Sequence, residues 1–103
     1  MAKTAREFFE SLESRLNASG PGDITGVYRF DISGAGSWRV DLANGKAEVT
    51  ESNEGGDCVV SMNENVFLRV LSGDQNPMTA FLMGKIRVDG DMGMVMRLKD
   101  LLG

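Results

Sequence analysis

Asp89 and Asp91, two positions apart in "GKIRVDGDMGMVMRL", are this chain's nearest approach to an acid–base pair. Paired carboxylates do such work when their surroundings hold one of them protonated. Here they close a strand pattern and open a helix, where a solvated turn and a helix cap account for both. No further ligand at calcium-loop spacing follows them. The chain has no histidine, which removes the commonest general base and the commonest metal ligand. Its one cysteine, Cys58 in "DCVVSM", sits in a period-two apolar pattern and reads as a small buried hydrophobe. A reactive thiol would need exposure and a cationic neighbour. Gly34-x-Gly36 lies between two alternating strands and opens no helix, so it reads as a turn rather than a phosphate cradle. These residues point away from an enzyme, a cofactor and a metal.

What remains distinctive is methionine. Five of the seven lie between Met78 and Met96. The side chain is unbranched and polarisable, suited to irregular gaps and to surfaces that accept more than one shape. It fits both a pliable core and a wall for a greasy ligand.

The elements that must position these residues follow from periodicity. The 103 residues make one domain, with 42% hydrophobic and 25% charged residues, as in an ordinary globular protein. "TAREFFESLESRL" is an amphipathic helix with Thr4 and Glu7 as a capping box; Phe8, Phe9, Leu12 and Leu16 share a face, and Glu10, Glu13 and Arg15 face water. Three alternating strands follow. One face holds Ile24, Tyr28, Phe30 and Ile32, then Trp38, Val40 and Leu42, then Ala47 and Val49. Such alternation means a sheet wet on one side, hence antiparallel. "SGAGS" and Asn44-Gly45 are the hairpin joints.

"DCVVSM" is a fourth strand. Ser61 with Glu64 offers a second capping box for a helix that carries Phe67, Val70 and Leu71 and ends at Gly73. Asn76-Pro77 opens a short helix, "KIRVDG" is a fifth strand, and Asp91 caps a last helix running to Leu102. The order is α-β-β-β-β-α-α-β-α, an α+β fold with a five-stranded, mainly antiparallel sheet. Helices must cover its one apolar face, so the late methionines are expected at the sheet–helix seam.

Composition narrows the partners. The net charge of −4, from 11 basic and 15 acidic residues, disfavours nucleic acid. Membrane contact is expected to be weak at most, although basic residues outnumber acidic ones near the end. No apolar run approaches the ~20 residues that span a bilayer. The start lacks a secretory h-region, which points to a cytoplasmic protein.

"DCVVSMNENVFLRVLSGD" followed by "NPMTAFLMGKIRVDGDMGMVMRL" resembles the sterol carrier protein 2 family, the SCP2 sterol-binding domain. The resemblance rests on Asn76, Pro77, Ala80, Phe81, Gly84, Lys85, Gly90, Asp91 and Met92, and extends in order and length over nearly the whole chain. It implies an SCP2-like tunnel between sheet and helices that binds fatty acids, fatty acyl-CoA or sterols without catalysis. Met83 stands where the family often has glutamine, which removes a polar handle. The chain ends at Gly103, short of the extension common in eukaryotic members. That points to a free-standing bacterial-type member with a wide mouth or one closed by a second subunit, and counts against sterol as the natural ligand.

On this reading the ligand's tail lies against Tyr28, Phe30, Trp38 and Val40 of the sheet and Phe67, Leu71, Phe81, Met83, Met92 and Met96 of the helices. Lys85, Arg87 and Arg97 meet a carboxylate or phosphate head. An empty apolar pocket of ~300 Å³ would cost about 7 kcal/mol, most of a small domain's stability. The empty form is therefore expected to collapse in part, admit water or keep a lipid. A protein-interaction module, with the same methionines holding a partner or a homodimer, is the alternative.

Overall fold

The computed structural model describes residues 3–20, 22 and 24–97. Four helices and five strands follow in the expected order: α1 (Ala5–Ser19), β1 (Gly26–Ser33), β2 (Gly36–Ala43), β3 (Lys46–Glu51), β4 (Cys58–Asn63), α2 (Glu64–Ser72), α3 (Pro77–Leu82), β5 (Arg87–Gly90) and α4 (Met92–Met96). The strands form one sheet in the order β3-β2-β1-β4-β5.

The sheet is mixed rather than wholly antiparallel. β1–β2, β2–β3 and β4–β5 run antiparallel, but β1 and β4 are parallel, with Phe30 opposite Val60. The reason lies in the connection after β3. β3 already runs in the direction of β1, and residues 52–57 carry the chain sideways over the wet face of β2 and β1. Ser52 N–H donates to the Ser37 carbonyl, Arg29 Nη1 to the Gly55 carbonyl, and Asp57 N–H to the Val27 carbonyl. β4 thus starts beside β1 in the same direction. The crossing also half-buries the ion pairs Arg29–Asp31 and Arg39–Asp41, at 2.9 and 3.1 Å.

The joints obey local chemistry. Asn44 and Gly45 both take positive φ (55° and 74°), as a two-residue hairpin turn requires. Gly90 allows a close approach: a Cβ there would lie 2.1 Å from the Asp57 carbonyl oxygen, and its φ is +113°.

The cap of α1 is half the expected box. Thr4 Oγ1 accepts from Glu7 N–H at 3.1 Å, while the Glu7 carboxylate accepts from Lys3 N–H. The second expected box is absent. Asn63, not Ser61, caps α2, accepting from Val66 N–H at 2.8 Å. Pairing with β1 holds Ser61 in strand through Asn63, so no helix starts earlier. Glu64 instead accepts from Ala5 N–H, tying α2 to the start of α1.

The core lies where α1 and α2 cover the apolar face. Phe9 sits at its centre, stacked on Trp38 at 4.7 Å and on Phe67 at 5.4 Å, with Phe30 at 5.3 Å. Leu12, Leu16, Tyr28, Val40, Leu42 and Val60 complete it, and among the described residues no polar or charged residue is buried. Glu13, expected to face water, turns to the β3 edge and accepts from Val49 N–H at 2.7 Å.

The expectation of methionines at the sheet–helix seam is corrected for four of the five. Met94 is buried, but Met78, Met83, Met92 and Met96 are exposed. α3 and α4 are six and five residues long. At 1.5 Å per residue each spans under ~10 Å, too short to present a full buried face. Residues 98–103, over which the last helix was expected to continue, lie outside the described residues.

Candidate functional site

Two short helices bracket the edge strand β5, and each is pinned from below. Asn76 Oδ1 caps α3 by accepting from Thr79 N–H at 3.1 Å, with Pro77 in the first turn, where its missing N–H costs nothing. Ala80 and Ile86 are buried and anchor the helix and the turn after it; Lys85 N–H donates to the Ala80 carbonyl at 2.8 Å.

α4 is held more tightly. Asp91 Oδ1 accepts from Met94 N–H at 3.1 Å, and Asp91 N–H donates to the Asp57 carbonyl at 2.9 Å. Tyr28 Oη donates to the Met94 carbonyl. The Met94 thioether fills the space a Cβ on Gly26 would need. Asp57 completes the clamp, since its carboxylate accepts from Val27 N–H at 2.9 Å and its carbonyl holds α4. Sequence reasoning missed Asp57; its position before a strand, directly after the glycine pair Gly55-Gly56, carried no signal for a tertiary role.

The residues expected to meet a ligand fall into two groups. Tyr28, Phe30, Trp38, Val40 and Phe67 are buried in one packed core, and Leu71 packs half-buried against it. Phe81, Met83, Met92 and Met96 lie on the surface of α3, its C-cap and α4, together with Met78 and Leu82, which were not anticipated as exposed. These six are between 47% and 76% exposed. Lys85, Arg87 and Arg97 are exposed in the same part of the chain, before, on and after β5. The structure thus brings the sheet aromatics together with Phe67 and leaves the basic residues exposed within the stretch of chain that carries the surface apolar group.

Two concavities lie elsewhere. One of about 300 Å³ sits at the β1–β2 turn, lined by Asp31, Ile32, Ser33, Gly34, Gly36 and Ser37. The other, about 160 Å³, lies at the far edge between Arg6, Phe9, Glu10, Trp38, Val49 and Glu51. There the Arg6 guanidinium bridges to Glu51 at 2.8 Å and stands 5.6 Å from the Trp38 ring centre. The bridge raises the Arg6 pKa and holds the Glu51 carboxyl below its usual range.

The chemistry-bearing residues are placed structurally. Cys58 is a free, buried thiol; burial, then the negative charge of Asp91, push its pKa up, so it stays protonated and unreactive at neutral pH. Asp91 is a helix cap, and Asp89 stands opposite Val59 on the wet face of the sheet. Among the described residues no group of three or more acids and cysteines could hold a metal, and no helix is long and apolar enough to cross a membrane.

Comparison with known proteins agrees with this architecture. The model of the SCP-2 sterol transfer family matches residues 9–103. Sterol carrier protein 2 of Gallus gallus is 37% identical over 102 residues, which take up 90% of this chain and 19% of that protein. The chain spans about a quarter or less of the length of the curated relatives it matches. Among solved structures, the sterol carrier protein domain 2 of Helicoverpa armigera is similar with a TM-score of 0.76 and 30% identity, over 93% of this chain and 83% of that one. Sterol carrier protein-2 of Aedes aegypti, solved in complex with the C16 fatty acid palmitate, has a TM-score of 0.76 at 24% identity, over 100% of this chain and 97% of that one. From Phe9 to Gly103, the chain belongs to the SCP-2 sterol transfer family.

Proposed function

We propose that this domain binds and carries a fatty acid, fatty acyl-CoA or sterol-like lipid without catalysing its conversion. One observation carries the reading: the interior beneath α1, α2 and α4 is lined by apolar side chains, the buried Tyr28 hydroxyl being bonded to the Met94 carbonyl, with no polar or charged residue buried among the described residues. An alkyl chain gains from such a wall at ~25 cal/mol per Å² removed from water, and it asks for no hydrogen bonds in return. The palmitate held by the Aedes aegypti relative supports the choice of ligand class.

The tail would lie against Tyr28, Phe30, Trp38, Val40 and Phe67, entering past Leu71, Phe81, Met83, Met92 and Met96. The aromatic side chains fill the interior against one another, so α3 and α4 must shift to admit it. α3, with Ala80 as its one buried residue, shifts at less cost than α1 or the sheet, whereas α4 must first release its bonds to Tyr28 and Asp57. The carboxylate or phosphate head would remain at the surface with Lys85, Arg87 and Arg97, which form charge-assisted hydrogen bonds there.

Thermal unfolding with and without palmitate tests the proposal. A ligand at a hundred times its dissociation constant stabilises by about 2.7 kcal/mol, and for a domain of this size that raises Tm by roughly 10 °C or more. No rise at saturating palmitate, palmitoyl-CoA and cholesterol would sink it. Native mass spectrometry of the protein as first purified gives a second readout, since an adduct of lipid mass lost on organic extraction identifies the ligand class.

A further inference from the structure

We propose that β5 pairs antiparallel with β5 of a second copy, about a two-fold axis at Val88, joining two five-stranded sheets into one. β5 ends the sheet, so among the described residues this border of the molecule has no further strand beside it. The ladder to β4 shows which backbone groups turn outward. Asp91 N–H donates to the Asp57 carbonyl, the bond that flanks a non-hydrogen-bonded Cys58–Gly90 pair. Bonded and non-bonded pairs alternate along an antiparallel ladder, so Asp89 and Arg87 exchange bonds with Val59 and Ser61. Val88, between them, therefore points its N–H and C=O away from β4. Two such strands, set antiparallel with Val88 opposite Val88, exchange both bonds.

Charge chooses a second copy as the occupant. Arg87 and Asp89 are exposed on one face of β5, the wet face, opposite Ser61 and Val59. In the register centred on Val88, Arg87 stands opposite Asp89 of the second copy, and Asp89 opposite its Arg87. Lys85 and Asp91 come next in the chain and again match opposite signs. A two-fold contact repeats each pair, so one strand supplies both halves of the match. Other registers fail. A slip of two residues sets Arg87 against Arg87 or Asp89 against Asp89, and a slip of one turns the second copy's apolar face to the first copy's wet face. Residues 85–91 carry two basic and two acidic residues, net zero in a chain of −4, so the copies meet where their shared negative charge is absent.

Strand pairing alone buries too little, because a stable interface takes ~800 Å² a side. The six large apolar residues left in water lie on α3, its C-cap and α4, the helices joined to β5 by four residues and by one. Two sets of them, brought together by the pairing, supply the apolar area that the strands lack.

The pairing stands apart from lipid carriage, and of the basic residues assigned to a ligand's head, Arg97 lies outside the paired segment. Sedimentation equilibrium of the full chain tests it, with variants at the exposed Arg87 and Asp89. The parent is expected to dimerise reversibly below ~1 mM. Asp89→Arg sets base against base and Arg87→Asp acid against acid, so each alone is expected to raise the dimer's Kd by about tenfold or more. Arg87→Asp with Asp89→Arg in the same chain restores every pair with its signs exchanged and should dimerise as the parent does. Mixing the two single variants should give a one-to-one heterodimer. All variants should melt as the parent monomer does and keep any palmitate-induced Tm rise.

A parent still monomeric at ~1 mM, single variants that dimerise as the parent does or ignore each other, or a double variant that stays apart would overturn the proposal. So would a parent dimer that only Leu82→Gln dissolves, which would assign the contact to the helices and not to β5. A dimer without a palmitate-induced Tm rise would uphold the pairing and defeat carriage, whereas a Tm rise in a chain that stays monomeric would do the reverse.

Discussion

The two edges of the sheet are built to opposite ends. At the β3 edge, α1 closes the strand with its own polar side chains. Asn17 accepts from Ala47 N–H at 2.8 Å and donates to the Ala47 carbonyl at 3.0 Å; Glu13 takes Val49 N–H, and Arg6 bridges to Glu51. The helix's apolar face is fully buried there. At the β5 edge, among the described residues, no side chain clamps the strand in this way. Its flanking helices turn apolar residues to water and anchor through Ala80, Ile86 and Met94. An exposed strand edge invites pairing and is normally blunted. The contrast teaches that stability is concentrated on one side of the molecule, leaving the other free to move or to meet a partner.

The largest test of that division removes the centre of the closed side. Phe9→Ala would empty the position between Trp38 and Phe67 and is expected to cost about 4 kcal/mol in denaturant unfolding. Phe81→Ala, the same truncation at an exposed site of α3, should cost less than about 1 kcal/mol. Similar losses at both sites would erase the distinction between the edges.

The open side has one rigid point. Gly90→Ala sets a Cβ against the Asp57 carbonyl at a positive φ, so a loss of about 3 kcal/mol is expected, with detachment of α4. Loss of hydrogen-exchange protection at Met94 N–H alongside the lowered stability would locate the effect; a neutral substitution would show that β5 and α4 are already loose.

Period-two and period-3.6 patterns made most of the fold readable from sequence. Tyr28, Phe30, Trp38, Val40 and Leu42 are buried as alternation requires, and Gly73, Asn76 and Asp91 end or start helices as their types demand. The parallel β1–β4 pair was not readable, because residues 52–57 cross the sheet through backbone bonds to Val27 and Ser37 that composition does not encode. Ser61-x-x-Glu64 failed as a cap since the competing strand bonds to β1 won. The family and the list of apolar candidates could be read from motifs. Which of those candidates face inward could not: Phe67 and Phe81 look alike in sequence, yet Phe67 lies on the face of α2 turned to the core, while the six-residue α3 buries Ala80 and leaves Phe81 in water.

The edge clamp itself gives the next largest effect. Asn17→Ala leaves both polar groups of Ala47 without their α1 partner on a half-buried edge, at a cost of about 1–2 kcal/mol. Urea unfolding measures it, and the same variant should show raised exchange at Ala47 and Val49. If exchange rises there no faster than in β5, the β3 edge owes its order to the sheet rather than to α1.

The smallest expected effect on folding is Leu82→Gln, and it separates the two edges most sharply. Leu82 is 76% exposed on the last turn of α3, so a polar amide in its place removes almost no buried area. Gln and Leu differ little in helix propensity, and the change should stay within about 0.5 kcal/mol in urea. A closed-side leucine behaves otherwise: Leu12, 1% exposed beneath the sheet, would leave an unpaired amide in an apolar core and lose several kcal/mol on the same change. A tolerated Leu82→Gln would mean that this apolar side chain contributes nothing to the folded chain alone, so its contribution must come from what the border touches. A costly one would mean that α3 packs more deeply than its exposure shows, and the two edges would then differ only in degree.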